Sequence, residues 1–246
     1  MARKSGSRQL KRAPAPAFWP IHRKEATWAP MTRPGPHPRN KSLPLILVVR
    51  ENLGYARTAK EATRIVNSSK VKVDLIVRRD HRFPVGLMDV IQIDGVDQVF
   101  RVLPKPGRGL SLSPIEARES GYKLCKIVGK RKVRGGRLEI SLHDGRNLLS
   151  DVKDTQKGEE FEVGGSVQLT LPIQKVAKYV SFQVGSIGLV TDGKNQGLYG
   201  KIVAIAAGSY ARPKIAKIET EDKAFETPAH YVMPVGIDVP LVALDR

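Results

Sequence analysis

Most side chains here that could do chemistry are cations, and their spacing suits binding phosphate better than making or breaking bonds. Between Ser42 and Ile93, Arg50, Arg57, Lys60, Arg64, Lys70, Lys72, Arg78 and Arg79 are interleaved with aliphatic residues. Lysine and arginine displayed in this way neutralise phosphate oxygens and release condensed counterions. A solvated charged face is the plainer reading of any cationic run, but acids are nearly absent from this face. One pair invites a catalytic reading, His143 next to Asp144. Adjacent strand residues point to opposite faces and make a poor dyad, and Asp144-Gly145 reads better as a turn. Asp151, Asp154, Glu159, Glu160 and Glu162 are too scattered to suggest more than a solvated loop. The single Cys125 excludes an intramolecular disulfide and any multi-cysteine zinc site. No cofactor or metal is expected.

These cations need elements to carry them. Leu45, Ile46, Val49 and Leu53 recur at helical spacing, with Ser42 as expected cap, Pro44 in the first turn and Gly54 as the stop. Thr58 opens a second helix, and Glu61 three residues on completes a capping box. Ala62, Ile65 and Val66 form its buried stripe, leaving Lys60 and Arg64 on another face. Val71 and Val73 then alternate with Lys70 and Lys72, the period of a half-buried strand.

Outside this stretch the chain stays basic. Its 246 residues carry a net charge of +18 and a pI near 10.1, which favours an anionic partner, nucleic acid first and a membrane surface second. No apolar run approaches the ~18–20 residues of a membrane span, and no apolar signal segment follows the basic start, so an intracellular, soluble chain of two or three modules is expected. Residues 1–41 hold ten cations against Glu25 alone, half the net charge in a sixth of the length. Seven prolines and no helical period mark this segment as an arm that does not fold by itself. Its Arg3, Lys4, Arg8, Lys11, Arg12, Arg23, Lys24 and Arg33 are candidate phosphate ligands, and Trp19 and Trp28 candidate stacking platforms for splayed bases.

Further along, Asp94-Gly95 between alternating runs predicts a type I′ hairpin. Ser113-Pro114 with Glu116 predicts a short capped helix limited by Gly121. Lys130 and Lys132 crowd a basic hairpin turning at Gly135-Gly136, and Ser166–Pro172 alternates as a strand. From residue 176 on, glycines at 185, 188, 193, 197 and 200 punctuate aliphatic strands, with Lys194 and Lys201 at the loop. Such a loop can present backbone N–H groups and lysines to phosphate, and it lacks the GKS/GKT ending of an NTP-binding loop. His230 and Tyr231 read as core or edge residues.

The order helix–turn–helix–strand in GYARTAKEATRIVNSSKVKV resembles the RNA-binding module named after bacterial ribosomal protein S4. With FPVGLMDVIQI, the arm sequences SRQLKRAPAPAFWP and WAPMTRPGPHP, and YKLCK, HDGRN, VQLTLP and VGIDVPLVAL, the match extends to the archaeal and eukaryotic S4e ribosomal family. The glycine-punctuated segment resembles the KOW motif of small SH3-like barrels. One departure stands out: the family usually carries Gly after the strand Asp, where this chain has Leu75, so a turn of different type or length is expected. The resemblance implies an α+β, mostly β fold: a basic arm over 1–41, an S4-like module over 42–93, a central β domain over 94–175 and a KOW barrel with C-terminal strands over 176–246. It implies a structural, non-enzymatic constituent of the small ribosomal subunit in the cytoplasm. Its partners would be rRNA and neighbouring small-subunit proteins, with neither a membrane nor a small-molecule substrate. Two competing readings are an RNA-modifying enzyme carrying an S4-like module and a KOW-type transcription or translation factor. Neither accounts for the arm.

Overall fold

A computed structural model of the chain describes residues 9–107, 109–150, 161–209, 213–220 and 223–244. Arg3, Lys4 and Arg8, and four of the five scattered acids (Asp151, Asp154, Glu159 and Glu160), lie outside them. Among the described residues the fold is mostly β, with two short α- or π-helical segments and three 3-10 turns.

The arm is folded against the rest. Its strands β1 (Leu10–Lys11) and β2 (Trp28–Ala29) pair antiparallel. Next come β3 (Ser42–Pro44), α1 (Leu45–Leu47) continuing into a π-helical turn over Val48–Asn52, and α2 (Ala59–Asn67). Strands β4 (Val71–Val73), β5 (Ile76–Val77), β6 (Pro84–Gly86), β7 (Val90–Ile93), β8 (Val99–Lys105) and β9 (Gly109–Ile115) follow. β3 pairs with β6, and the others form an antiparallel sheet in the order β5-β4-β7-β8-β9. This sheet runs straight across residue 93, so the boundary offered there by the sequence divides a continuous sheet. Strands β10 (Tyr122–Lys132), β11 (Leu138–Leu142), β12 (Asn147–Ser150), β13 (Ser166–Thr170) and β14 (Val176–Val180) make a second sheet, ordered β12-β11-β10-β13-β14. Strands β15 (Ile187–Val190), β16 (Tyr199–Ala206), β17 (Ile215–Glu219), β18 (Ala224–Pro228) and β19 (Val232–Gly236) make a third, ordered β18-β17-β16-β15-β19.

Several local expectations are corrected. Ser42 does not cap a helix: it is buried in β3, its hydroxyl donating to the Pro38 carbonyl at 2.9 Å, and Pro44 takes the N-cap position. The pairing of β3 with β6 wins over the cap because it satisfies backbone groups of a fully buried segment. Gly95 has φ +93 but Asp94 is not left-handed, so the loop after β7 is not the two-residue type I′ turn. Ser113 belongs to β9, and only a 3-10 turn over Ala117–Gly121 follows. At Asp74-Leu75 both residues are left-handed (φ 53 and 64), so leucine occupies the position expected to exclude it. Left-handed backbone costs a non-glycine residue about 1–2 kcal/mol. Leu75 offsets part of this by packing, partly buried, against the cluster of Val90, Val99 and Leu171.

The arm departs from expectation most. Trp19 is 3% exposed and its indole N–H donates to the Ser42 carbonyl at 2.9 Å, which leaves no ring face for a base. Leu10 and Ala15 join it in the core formed with α1, α2 and the first sheet. Arg12 is buried too, its guanidinium donating to Glu25 (3.0 Å) and to the carbonyls of His22 and Trp28. Trp19, Leu10 and Ala15 bury apolar area that the arm lacks by itself, because the surface they pack on belongs to residues 43–110.

At the junction of arm, first sheet and second sheet lies a buried charge cluster. The Lys123 ammonium donates to Asp74 (3.0 Å), Asp144 (3.1 Å) and Asp89. Arg146 pairs with Asp74 (2.6 Å) and Asp144 (3.2 Å), and His37 of the arm meets Asp89 at 3.1 Å. Backbone N–H groups of Gly86 and Val90 donate to Asp89 and Asp74. Although burial opposes the charge, the neighbouring carboxylates raise the Lys123 pKa well above the ordinary lysine value. Asp89 and Asp144 are held low against their burial by the same ammonium, whereas burial and the Asp89 charge push Asp74 up. Asp144-Gly145 does turn the chain, but the carboxylate that the sequence assigned only to a turn is 1% exposed and ion-paired.

His143 stands beside this cluster as a neutral ring, its Nδ1 accepting from the Lys126 N–H (3.1 Å) and its Nε2 donating to the Leu87 carbonyl (3.2 Å). Burial, then the Lys123 charge, lower its pKa from 6.5 to about 4.

Three outcomes are expected. In urea denaturation, Trp19→Ala should cost about 3–5 kcal/mol, whereas half-exposed Trp28 should tolerate alanine within about 1 kcal/mol. Lys123→Met, which takes the shared ammonium from three buried carboxylates and leaves them only Arg146, His37 and backbone donors, should cost about 3–5 kcal/mol. Between pH 6.5 and 4 the unfolded chain protonates His143 while the folded chain does not, so stability falls as pH drops through that window. Wild type should therefore lose on the order of 3 kcal/mol more than His143→Gln across it. The opposite-signed contribution of Asp74 is common to both proteins.

Candidate nucleic-acid interface

The first cationic surface is built on the helical hairpin. Thr58 and Glu61 form the expected capping box: the Glu61 N–H donates to the threonine hydroxyl (3.2 Å), and the Glu61 carboxylate accepts from the Thr58 (3.2 Å) and Arg57 (3.0 Å) N–H groups. Those backbone donors lower the Glu61 pKa, so the acid nearest the cations is committed to the helix end. Ala62 and Val66 bury one side of α2, and Lys60 and Arg64 stand exposed on the other, with Arg57 at its start. Lys70 and Arg79 are exposed beyond its C-terminal end, where Arg79 is steadied by a 2.8 Å bond to the Ser69 hydroxyl.

The other cations of this stretch are partly engaged. Arg50 pairs with Glu51 at 2.7 Å and Lys72 with Asp94 at 2.8 Å. Arg78 lies 4.4 Å over the Phe83 ring, its Nε buried without a partner. On the arm, Lys11, Arg23, Lys24 and Trp28 are exposed, and Arg33 pairs loosely with Asp80 at 3.2 Å. The β10–β11 hairpin carries Lys132, Arg134 and Arg137 exposed and Lys130 half-buried around its turn. There Arg131 is balanced by Glu139 at 2.6 Å. The left-handed glycines 135 and 136 form its turn.

The glycine-rich loop before β16 works differently from the expectation. The Gly193 N–H donates to the Asp192 carboxylate, Gln196 to Gly193, Gly197 to Val190 and Leu198 to Asn195. These donors are spent inside the loop and are not available to cradle phosphate. The glycines instead permit close packing: a Cβ on Gly200 would lie 2.2 Å from the Glu219 carbonyl oxygen, and one on Gly197 2.6 Å from Pro106. Lys194 and Lys201 are both exposed but line separate clefts.

Three cations that the sequence did not single out as ligands gather around the first of these clefts. Lys41 at the end of the arm pairs with Asp192 at 3.0 Å. Lys126 on β10 donates to the His230 and Val232 carbonyls, and Lys214 lies 5.5 Å from the Phe182 ring. They come from sequence positions far apart, and no local pattern announces their meeting.

Comparison with known proteins bears on this arrangement. A family model described as "Ribosomal family S4e" matches residues 96–176, and one described as "RS4NT (NUC023) domain" matches residues 4–40. The chain is 44% identical over 243 residues to the small ribosomal subunit protein eS4 of Ignicoccus hospitalis, covering 97% of this chain and 95% of that one. It is 43% identical over 245 residues to the eS4 protein of Methanothermobacter thermautotrophicus, with 99% and 98% covered. The crystal structure of the 30S ribosomal protein S4e from Thermoplasma acidophilum superposes with a TM-score of 0.67 at 28% identity, over 80% of this chain and 95% of that one. By near-full-length identity and fold alike, this chain belongs to the S4e family of ribosomal proteins, a family of structural proteins and not of enzymes.

Proposed function

We propose that this protein is a structural constituent of the small ribosomal subunit that binds rRNA through lysine and arginine contacts to phosphate. The observation that carries this reading is the surface of α2 and its flanks. Arg57, Lys60, Arg64, Lys70 and Arg79 are exposed together, while nearby Glu51, Glu61 and Asp94 are committed to an ion pair, a helix cap and an ion pair. Such a surface neutralises a polyanion without discriminating its sequence, because backbone contacts position and do not specify.

In this reading the helical hairpin with the sheet behind it is an S4-like RNA-binding module, and the third sheet, β15–β19, forms a KOW-type barrel; β14 (Val176–Val180), which the sequence grouped with that barrel, instead pairs with β13 in the second sheet. The exposed arm cations and the β10–β11 hairpin extend the same contact area. Neighbouring small-subunit proteins complete the environment, in the cytoplasm.

The test is binding of the full-length protein to small-subunit rRNA across a salt series. Removing residues 1–41 is unsuitable, because Trp19 and His37 are core residues. Instead, the combined Lys60→Gln and Arg64→Gln variant should bind more weakly and lower the log–log salt slope by roughly 0.7–0.9 per lost contact. Unchanged affinity and slope would remove this surface from the interface.

A further inference from the structure

A cleft of about 1070 Å³ lies where the arm, the second sheet and the third sheet meet. Its walls are apolar in a way that water does not favour. Phe18 and Phe182 reach into it, and Val128 and Val163 line it while 59% and 57% exposed. Gly109 holds the Phe18 side in place: a Cβ there would lie 2.2 Å from the Phe18 Cβ, so only glycine admits this contact.

The polar part of the lining is cationic. Lys41, Lys126, Lys194 and Lys214 all line the cleft, and the acid among them, Asp192, is already paired with Lys41. Lys126 is the telling member. Its ammonium is half-buried and held by two carbonyl oxygens, and no carboxylate among the described residues pairs with it. Burial, reinforced by Lys41, lowers its pKa from 10.5 to about 8. An anion in the cleft would favour the charged form. Aromatic faces beside uncompensated lysines are the elements that hold unpaired nucleotides, the base on a ring and the backbone on the cations.

We propose that this cleft holds one unpaired nucleotide of a single-stranded RNA segment, its base against Phe182 and its phosphate among Lys41, Lys126 and Lys214. The proposal rests on the reading that the protein binds rRNA and adds a site that phosphate-coating surfaces do not need. A double-stranded segment does not fit it, because its bases are stacked and paired.

The experiment uses full-length protein with a short single-stranded RNA carrying 2-aminopurine, and in parallel with intact small-subunit rRNA. Wild type should change the 2-aminopurine fluorescence on binding. Phe182→Ala should weaken oligonucleotide binding by about 5- to 100-fold with little change in salt slope. Lys214→Met should lower that slope by roughly 0.7. Because Phe182 also packs against the third sheet's core, Phe182→Leu keeps the apolar bulk: it should lose the fluorescence change while keeping the wild-type circular dichroism. If both Phe182 variants bind the oligonucleotide as wild type does, or if a peptide segment of a neighbouring protein cross-links to this cleft in place of RNA, the cleft proposal falls. Steep salt-dependent binding to rRNA would in that case still stand. Failure of wild type to bind rRNA at all would instead overturn the reading it rests on.

Discussion

The Lys123 ammonium is the charge around which the fold is arranged. It is 1% exposed, and a cation taken out of water is tolerated only when paired and hydrogen-bonded. Its three carboxylates come from the β4–β5 turn, from the segment before β7 and from the turn after β11, and His37 brings the arm to the same point. Moving any of these segments would leave a buried charge without its counterpart. The cluster therefore fixes how the arm, the first sheet and the second sheet sit against one another, while the apolar cores on either side supply most of the burial. The left-handed Asp74 belongs to this logic, because its conformation aims the carboxylate at both Lys123 and Arg146.

A consequence concerns charge outside the cluster. The chain has 24 acids for 42 lysines and arginines, and many acids are committed inside or at its seams. Asp74, Asp89 and Asp144 are buried, Glu61 caps a helix, and Glu119 accepts from the fully buried Arg101 at 2.6 Å. Acids used in this way do not offset the exposed lysines and arginines of α2, the arm and the β10–β11 hairpin. In the cleft beside Phe182, Lys126 has no carboxylate partner among the described residues, because Asp192 there is paired with Lys41.

Much of the fold was legible in the residues. The capping box at Thr58–Glu61, the buried stripe of α2, the alternation of Val71 and Val73, the Gly135-Gly136 turn and the β13 strand follow from patterns only a few residues long. The misreadings share one cause. Ser42, Trp19, Arg12 and the glycine loop each carry a local signal that is real: a capping residue, an aromatic among cations, a guanidinium in a basic tail, flexible backbone. In each case a partner further along the chain had the stronger claim: β6 for Ser42, the residue 43–110 core for Trp19, Glu25 and the His22 and Trp28 carbonyls for Arg12, and Glu219 and Pro106 for the glycines.

Charge, composition and short-range periodicity by themselves determined that the chain is strongly basic, carries a helical hairpin followed by short strands and favours an anionic partner, while the mostly β class came with the family resemblance. Those properties are sums over residues or depend on neighbours within a turn or a pleat, so they survive without knowledge of the fold. Only the tertiary structure decided which cations remain exposed, that the arm packs as part of the core, and that Lys41, Lys126 and Lys214 surround one cleft. These depend on burial and on pairs such as Lys123 with Asp74, 49 residues apart. Desolvation makes a buried charge or ring choose a partner by proximity in space, and no local pattern encodes that proximity.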